Sequence, residues 1–162
     1  MKFLATCFCT CFALLWFSPL ASAPPLPGYA WLLAESRTAV WTRALRGVEV
    51  RYGLPAGLLA ALHSKECSGR IRCPDGRAGE RGPFQILPGT AALREVACPS
   101  GWESGYANAD CAGRFLQTRI DQCGPGLRAI GAYNAGSCDD GAYARDVYSR
   151  WLPWSPKPKR MI

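Results

Sequence analysis

Apolar and polar residues follow one another along this chain with the period of a helix rather than that of a strand. The first such segment runs from Ser36, a candidate N-cap, to Tyr52. Four apolar residues within it fall on one helical face: Trp41, Ala44, Leu45 and Val48. This spacing predicts a helix that buries one side against the rest of the protein.

A helix stop and a helix start come next along the chain. Gly53 can end the first helix in the left-handed conformation, and Pro55 can open the next helix in its first turn. The second predicted helix runs from about Pro55 to Glu66, and three leucines form its apolar arc: Leu58, Leu59 and Leu62. Glu66 follows the last of these leucines by one helical turn, so its carboxylate shares the arc and faces the core or a cleft.

The remainder of the chain predicts short helices joined by loops. Residues 67–82 are polar and rich in glycine, which indicates a loop or a small irregular sheet. Further helices are predicted at residues 88–96, 109–122, 127–133 and 143–151. There is no internal repeat and no long strand pattern. The predicted fold class is therefore mainly α, in a compact single domain with a small irregular loop or sheet region.

The two ends of the chain differ in composition from its centre. Residues 1–23 have the pattern of a secretory signal peptide, with Lys2 before an apolar run and small residues at the end. The apolar run is short for a membrane span. The mature domain is predicted at residues 24–152 and opens with a proline-rich, exposed lead-in at 24–28. A basic tail at 153–162 is predicted to be disordered.

Cysteine usage agrees with export. Three of the nine cysteines lie in the predicted signal, and the mature domain holds the others: Cys67, Cys73, Cys98, Cys111, Cys123 and Cys138. An even number in an exported chain predicts three disulfides that staple the fold, although their pairing cannot be read from the sequence. Zinc is disfavoured because there is no C-x-x-C pair and His63 is the only histidine. We expect no metal ion.

The net charge limits the classes of partner. The chain carries a net charge of +7, which falls to +6 when Lys2 leaves with the predicted signal. Such a charge favours polyanions. The arginines are dispersed and form no dense stripe interleaved with aromatic residues, which disfavours nucleic acid. A carboxylate-rich cell wall fits better, and a domain of this length can bury a core of its own and act as a monomer.

Glu66 is the candidate catalytic acid. Burial disfavours a charged carboxylate and the C-terminal end of a helix carries partial negative charge, so both influences favour the neutral acid. Lys65 opposes this shift, but its long stem can carry the ammonium group to water. Two motifs downstream offer amide and phenol groups suited to sugars: GPFQILPGTA at residues 82–91 and AYNAG at residues 132–136. One acid with these two motifs indicates a glycan-cleaving enzyme.

An ordered set of motifs extends this interpretation. It comprises YGLP at 52–55, Glu66, GPFQILP at 82–88, Thr90 with Ala91, Asn108 with Gly113 and Leu116, AYNAG at 132–136, and residues 143–147. In this order the motifs resemble the catalytic domain of soluble lytic murein transglycosylases, a lysozyme-like family that cleaves peptidoglycan. The resemblance implies an α+β lysozyme-like fold, peptidoglycan glycan strands as the substrate, and a location in the bacterial periplasm or cell envelope.

The resemblance also implies roles for single residues. Glu66 would be the acid and base, and four residues would bind substrate: Phe84, Gln85, Tyr133 and Asn134. Glu66 would protonate the bond between N-acetylmuramic acid and N-acetylglucosamine and then activate the muramic 6-hydroxyl, which gives a 1,6-anhydro product without a metal or organic cofactor. Considered alone, Asn134 fits a helix stop equally well.

The chain departs from the family pattern at several positions. Cys67 and Gly76 stand where the family has serine, Glu80 stands where it has alanine, and Pro83 and Phe84 replace leucine and methionine. The loss of the serine at 76 weakens the expectation of a hydroxyl contact there.

These departures leave other functions open. Asp75 before GPFQI, in a cysteine-rich frame, is similar to invertebrate-type lysozymes, which hydrolyse the same bond with two carboxylates. Asp75 would then be the second carboxylate, and Glu80 is a further candidate for it. A third hypothesis is a non-catalytic scaffold that binds the wall. Small exported members of the transglycosylase family also suggest an association with a secretion, conjugation or pilus complex.

Overall fold

The computed structural model describes residues 27–153, and it describes side chains from residue 37 onward. The predicted signal, the first part of the predicted lead-in and the tail beyond residue 153 lie outside the described residues. The chain in the described range forms α1 (Pro27–Arg51), α2 (Leu58–Cys67), α3 (Pro88–Ala91), α4 (Gly105–Cys123), α5 (Leu127–Ala135) and α6 (Ala142–Trp151). Pairing of extended backbone over this range is limited to an isolated antiparallel bridge between Arg81 and Ile86. The predicted mainly helical class, with a small irregular loop region, is confirmed.

Helix α2 lies at the centre of the packing. It contacts α1, α4 and α6, while α5 packs against both α4 and α6. The side chains that fill the space between these helices are almost wholly buried, and they include Leu59, Leu62, Phe84, Leu116 and Val147. Full burial of such a side chain contributes about 1.5–3 kcal/mol. The helix that carries Glu66 is therefore anchored by the core along its whole length.

The start of α1 differs from the prediction. The helix begins at Pro27 and passes through Ser36, which is not an N-cap. Proline is favoured in the first turn of a helix, and neither proline nor glycine occurs between Gly28 and Gly47, so no residue there interrupts the helix. Pro27 and Gly28 therefore belong to the helix and not to the predicted exposed lead-in.

The corner between α1 and α2 is held by a buried acid from α1. Gly53 has a φ of 63°, as expected for the predicted stop. Helix α2 begins at Leu58, later than predicted, after Gly57 with a φ of 81°. Glu49 accepts hydrogen bonds from the backbone N–H groups of Gly57 and Leu59, each at 2.9 Å. Its carboxylate thus satisfies N–H groups that the start of a helix leaves unpaired, in place of a local cap.

The helices after the central loop, which spans residues 68–87, match the prediction unevenly. The predicted helix at 88–96 is shorter in the structure, where it consists of α3 alone and begins at Pro88. Ala97, just after the predicted end, has a φ of 44°, which is not helical. Helix α4 begins at Gly105, four residues before the predicted start, and ends at Cys123. Helices α5 and α6 confirm the predictions, and Gly136 ends α5 in the left-handed conformation with a φ of 76°.

The six cysteines of the described region form three disulfides, as predicted. The pairs are Cys67–Cys73, Cys98–Cys111 and Cys123–Cys138. Each pair closes a short stretch of chain, with separations of 6, 13 and 15 residues. The first pair joins the end of α2 to the loop that follows it, so the backbone directly after the candidate acid is covalently restrained.

Candidate active site

A polar cleft opens where the end of α2, the loop after it and the end of α5 meet. Its lining consists of Glu66, Gly76, Arg77, Glu80, Gln85, Ile86, Leu87, Thr90, Phe115, Tyr133 and Asn134. Among these residues are the acid of the predicted catalytic helix and members of both sugar-suited motifs. The structure therefore brings the acid and the two motifs, which are far apart in the sequence, to one surface.

Glu66 lies in the last turn of α2 and is half-buried. Burial raises the pKa of Glu66 above its ordinary value, and the negative charge of Glu80 raises it further. The hydrogen bond from Tyr143 and the charge of Lys65 act in the opposite direction but do not reverse the shift. A carboxyl group with a raised pKa holds its proton nearer to neutral pH, as a general acid requires.

Tyr143 on α6 is the nearest hydrogen-bond partner of the acid. Its hydroxyl donates to Oε1 of Glu66. Burial, followed by the negative charge of Glu66, raises the pKa of Tyr143 far above its ordinary value, so the phenol remains a donor. The sequence motifs included Tyr143 only as part of the closing segment. The sequence feature that indicates an inward-facing Tyr143 is its position on the amphipathic helix α6, one turn before the buried Val147.

An ion-pair network joins α6 to α2 beside this contact. Lys65 Nζ lies 2.6 Å from Oδ2 of Asp146, whose Oδ1 accepts from Arg150 Nε at 2.8 Å. The Lys65 ammonium also lies 5.7 Å from the centre of the Tyr143 ring. The expectation that Lys65 carries its charge away from Glu66 holds in part, because the ammonium turns to Asp146 but still lowers the pKa of Glu66.

Gln85 lines the cleft from the central loop. Its backbone has a φ of 49°, a conformation that residues other than glycine seldom adopt. The side-chain amide donates to the carbonyl oxygens of Gly82, at 2.9 Å, and of Pro74, at 3.3 Å. These two bonds hold the loop in shape and orient the amide, which leaves its oxygen as the group for other partners.

Tyr133 and Asn134 contribute from the end of α5. Tyr133 is largely buried, and its hydroxyl donates to the backbone oxygen of Phe84 at 2.9 Å. The ring packs against Phe115 with centroids 4.9 Å apart. The phenol hydroxyl is therefore bound to the protein, while Tyr133 belongs to the lining of the cleft. Asn134 is exposed at the cleft wall.

Phe84 does not face the cleft, contrary to the prediction that it binds substrate. Its side chain is 0% exposed, and its ring packs 5.5 Å from His63 and 6.5 Å from Trp41. The backbone N–H of Phe84 donates to Oδ1 of the buried Asn108 at 2.7 Å. Gly82 approaches Asn108 so closely that a Cβ atom there would lie 2.5 Å from the Asn108 side chain. Phe84 is consequently a core residue that supports the cleft from below.

The two candidate second carboxylates occupy different positions. Asp75 is exposed and does not belong to the set of described residues that line the cleft. Glu80 is half-buried in the cleft wall, and its Oε2 accepts from the backbone N–H of Ala78 at 3.0 Å. The geometry therefore favours Glu80 over Asp75 as a second carboxylate near Glu66.

His63 is bound at both ring nitrogens within the core. Its Nδ1 accepts from Trp41 Nε1 at 3.3 Å, and its Nε2 lies 2.8 Å from the carbonyl oxygen of Arg70. Burial lowers the pKa of His63. The neutral ring is thus fully satisfied. In the part of the chain that the structure describes, no three His, Cys, Asp or Glu side chains are grouped to hold a metal ion, and no helix is long and apolar enough to cross a membrane.

The fold and the cleft define a helical, lysozyme-like domain with a half-buried acid in a polar cleft. A model of the transglycosylase SLT domain matches residues 44–150, which include every residue of the cleft and all three disulfides. The chain belongs to this family of lytic transglycosylases. It is a transglycosylase-type enzyme that acts on peptidoglycan, and hence outside the cytoplasm. Neither the curated proteins nor the solved structures include a match.

Proposed function

We propose that the protein cleaves the β-1,4 bond between N-acetylmuramic acid and N-acetylglucosamine with Glu66 as acid and then base, forming a 1,6-anhydro product. The observation that carries this proposal is the position of Glu66. Its half-buried carboxyl group lies in the cleft, has a raised pKa, and is held by the phenol of Tyr143. A single carboxyl group can perform both steps when the nucleophile belongs to the substrate.

In the first step the neutral Glu66 gives its proton to the glycosidic oxygen, and the bond from that oxygen to the anomeric carbon of muramic acid breaks. The leaving chain ends in the new 4-hydroxyl of glucosamine. In the second step the Glu66 carboxylate accepts the proton of the muramic 6-hydroxyl. At the same time the oxygen of that hydroxyl group bonds to the anomeric carbon of the same sugar. Glu66 ends protonated, as it began, and no water is consumed. Intramolecular attack gains from proximity.

Gln85, Tyr133 and Asn134 are proposed to bind the sugars beside the reacting bond. The oxygen of the Gln85 amide is the free end of a side chain whose nitrogen already donates twice within the loop. The Asn134 amide is exposed and can both donate to and accept from hydroxyl and acetamide groups. Tyr133 offers its ring as an apolar contact, since its hydroxyl is bound to the backbone oxygen of Phe84. No organic cofactor or metal ion enters this scheme.

Hydrolysis with Glu66 and Asp75 is the first rival function. The exposure of Asp75 and its absence from the described cleft lining count against that pair. A non-catalytic wall-binding scaffold is the second rival. Such a protein has no need for a half-buried carboxyl group with a raised pKa, because removing a carboxyl group from water costs stability.

The wider assignment is also a proposal. Residues 1–23 direct export, residues 24–152 form the catalytic domain, and residues 153–162 are a basic tail. The mature protein acts as a monomer in the periplasm or cell envelope, where it opens local gaps in the wall for a secretion, conjugation or pilus complex. Support comes from the small size of the domain and the composition of its ends. Deletion that leaves both secretion and pilus assembly unaltered would contradict the last point.

A comparison of binding with cleavage tests the catalytic proposal against the scaffold. The wild-type protein and Glu66→Gln are each incubated with insoluble peptidoglycan, and sedimented protein and released soluble fragments are measured. The enzyme proposal expects Glu66→Gln to bind as the wild type does and to release no fragments. Equal release by both proteins would overturn it.

A further inference from the structure

Gly76 and Glu80 both depart from the family pattern, and in the structure the two departures fit each other. A Cβ atom at Gly76 would lie 2.1 Å from Oε2 and 2.7 Å from Cδ of Glu80. The backbone of Gly76 is outside the left-handed region, so the position does not need glycine for its conformation. With Glu80 in its present place there is no room for a Cβ atom, because the Glu80 carboxylate occupies the volume that the expected serine side chain would fill.

The Glu80 carboxylate is tied to the loop backbone at the wall of the cleft. The backbone N–H of Ala78 donates to its Oε2 at 3.0 Å, which fixes one end of the group. The same absent Cβ of Gly76 would lie 3.0 Å from the Gln85 amide oxygen. Glu80 is therefore placed beside the Gln85 oxygen and in the lining that also contains Glu66.

We propose that Glu80 is a second functional carboxylate of the cleft, held where its negative charge acts on Glu66. The inference deepens the proposed function and rests on Glu66 being the acid. Glu80 is a positioning residue, because it exchanges no proton with the substrate and acts on the proton of Glu66.

The charged and titratable groups around Glu66 determine how its pKa should change when the charge of Glu80 is removed. They come from α2, α5, α6 and the loop: Lys65, Tyr133, Tyr143, Asp146, Arg77 and Glu80. Lys65 is paired with Asp146 and, like Tyr143, lowers the pKa of Glu66, whereas Glu80 raises it. Removal of the Glu80 charge therefore lowers the pKa of Glu66. The alkaline limb of the pH profile of kcat/KM, where activity is lost as Glu66 gives up its proton, then moves to lower pH.

The test is the pH profile of kcat/KM for Glu80→Gln on peptidoglycan glycan strands. Glutamine keeps the size of the side chain and an acceptor for Ala78. We expect the alkaline limb to move to lower pH and the rate at neutral pH to fall roughly tenfold. Asp75→Asn is the matched control, since it removes an exposed loop carboxylate outside the cleft lining. An unmoved limb for Glu80→Gln, or an equal shift for Asp75→Asn, would overturn the inference.

A second variant tests the same geometry without removing the acid. Gly76→Ala introduces the Cβ that the Glu80 carboxylate now excludes, so the carboxylate must move away from its place. We expect Gly76→Ala to shift the alkaline limb to lower pH, and to add no shift in a Glu80→Ala background. Equal shifts in both backgrounds would contradict the coupling.

The failure of this inference can be told from failure of the proposed function. If Glu66→Gln abolishes cleavage while Glu80→Gln leaves the pH profile unchanged, only the inference about Glu80 fails. If Glu66→Gln remains active, the proposed function itself fails. Thermal unfolding of each variant separates both outcomes from a loss of folded protein.

Discussion

The phenol of Tyr143 donates a hydrogen bond to the carboxyl group of Glu66, although the two residues are 77 positions apart in the sequence. Helix α6 supplies the phenol and helix α2 supplies the acid, and the pairing of Lys65 with Asp146 joins the same two helices at 2.6 Å. This contact is at its strongest when Glu66 is charged, because hydrogen bonds to a charged acceptor are stronger than those to a neutral one. In the proposed reaction that condition occurs between the two proton transfers.

Replacement of Tyr143 by phenylalanine should therefore change the pH profile as well as the rate. The hydrogen bond lowers the pKa of Glu66, so its loss raises that pKa and moves the alkaline limb of kcat/KM to higher pH. We expect kcat to fall about 10- to 100-fold, which corresponds to the loss of a hydrogen bond to a charged group. Tyr148→Phe on the same helix is the control. A lower rate with no movement of the limb would show that Tyr143 acts only on packing.

Glu49→Gln tests the buried cap between α1 and α2. The side chain of Glu49 is 2% exposed. It accepts hydrogen bonds from the backbone N–H groups of Gly57, just before α2, and of Leu59, within α2. Glutamine replaces one acceptor by a donor that faces an N–H group, and we expect a loss of about 2–4 kcal/mol in the free energy of unfolding. Chemical denaturation measures this loss. The exposed Glu95→Gln is the control, and a similar change in both variants would refute the capping interpretation.

The buried His63 predicts a loss of stability in mild acid. Burial lowers the pKa of His63 in the folded state, so the unfolded chain binds a proton at higher pH than the folded one. Its contribution to stability is complete above the unfolded pKa of about 6.5 and declines as the pH falls below it toward the folded value. We expect this decline, measured by denaturation across that range, to be smaller in His63→Gln. An identical pH dependence in the two proteins would contradict the assignment.

Local patterns predicted what is local in this structure. The stop at Gly53, the stop at Gly136 and the extent of α6 follow from residues within one or two turns, and each is confirmed. The start of α2 was predicted too early, because the corner depends on Glu49, which lies on another helix. No local pattern carries that information.

In the candidate site, too, the sequence does not reveal features that depend on contacts between distant residues. The angular position of Glu66 on its helix was sufficient to predict a carboxylate facing a cleft. The pattern of GPFQ could not show that Phe84 turns into the core, because this depends on the distant Asn108. The fit between Gly76 and Glu80 was also hidden, since each appeared in the sequence only as a separate departure from the family pattern.

The identity of the cleavage products tests the central claim most directly. Purified, oxidised mature protein and its Glu66→Gln variant are incubated with bacterial peptidoglycan, and the soluble products are analysed by mass spectrometry. The account predicts muropeptides that end in 1,6-anhydro-N-acetylmuramic acid from the wild type and none from the variant. Products with reducing ends from the wild type, each heavier by one water, would contradict it and assign the protein to hydrolysis.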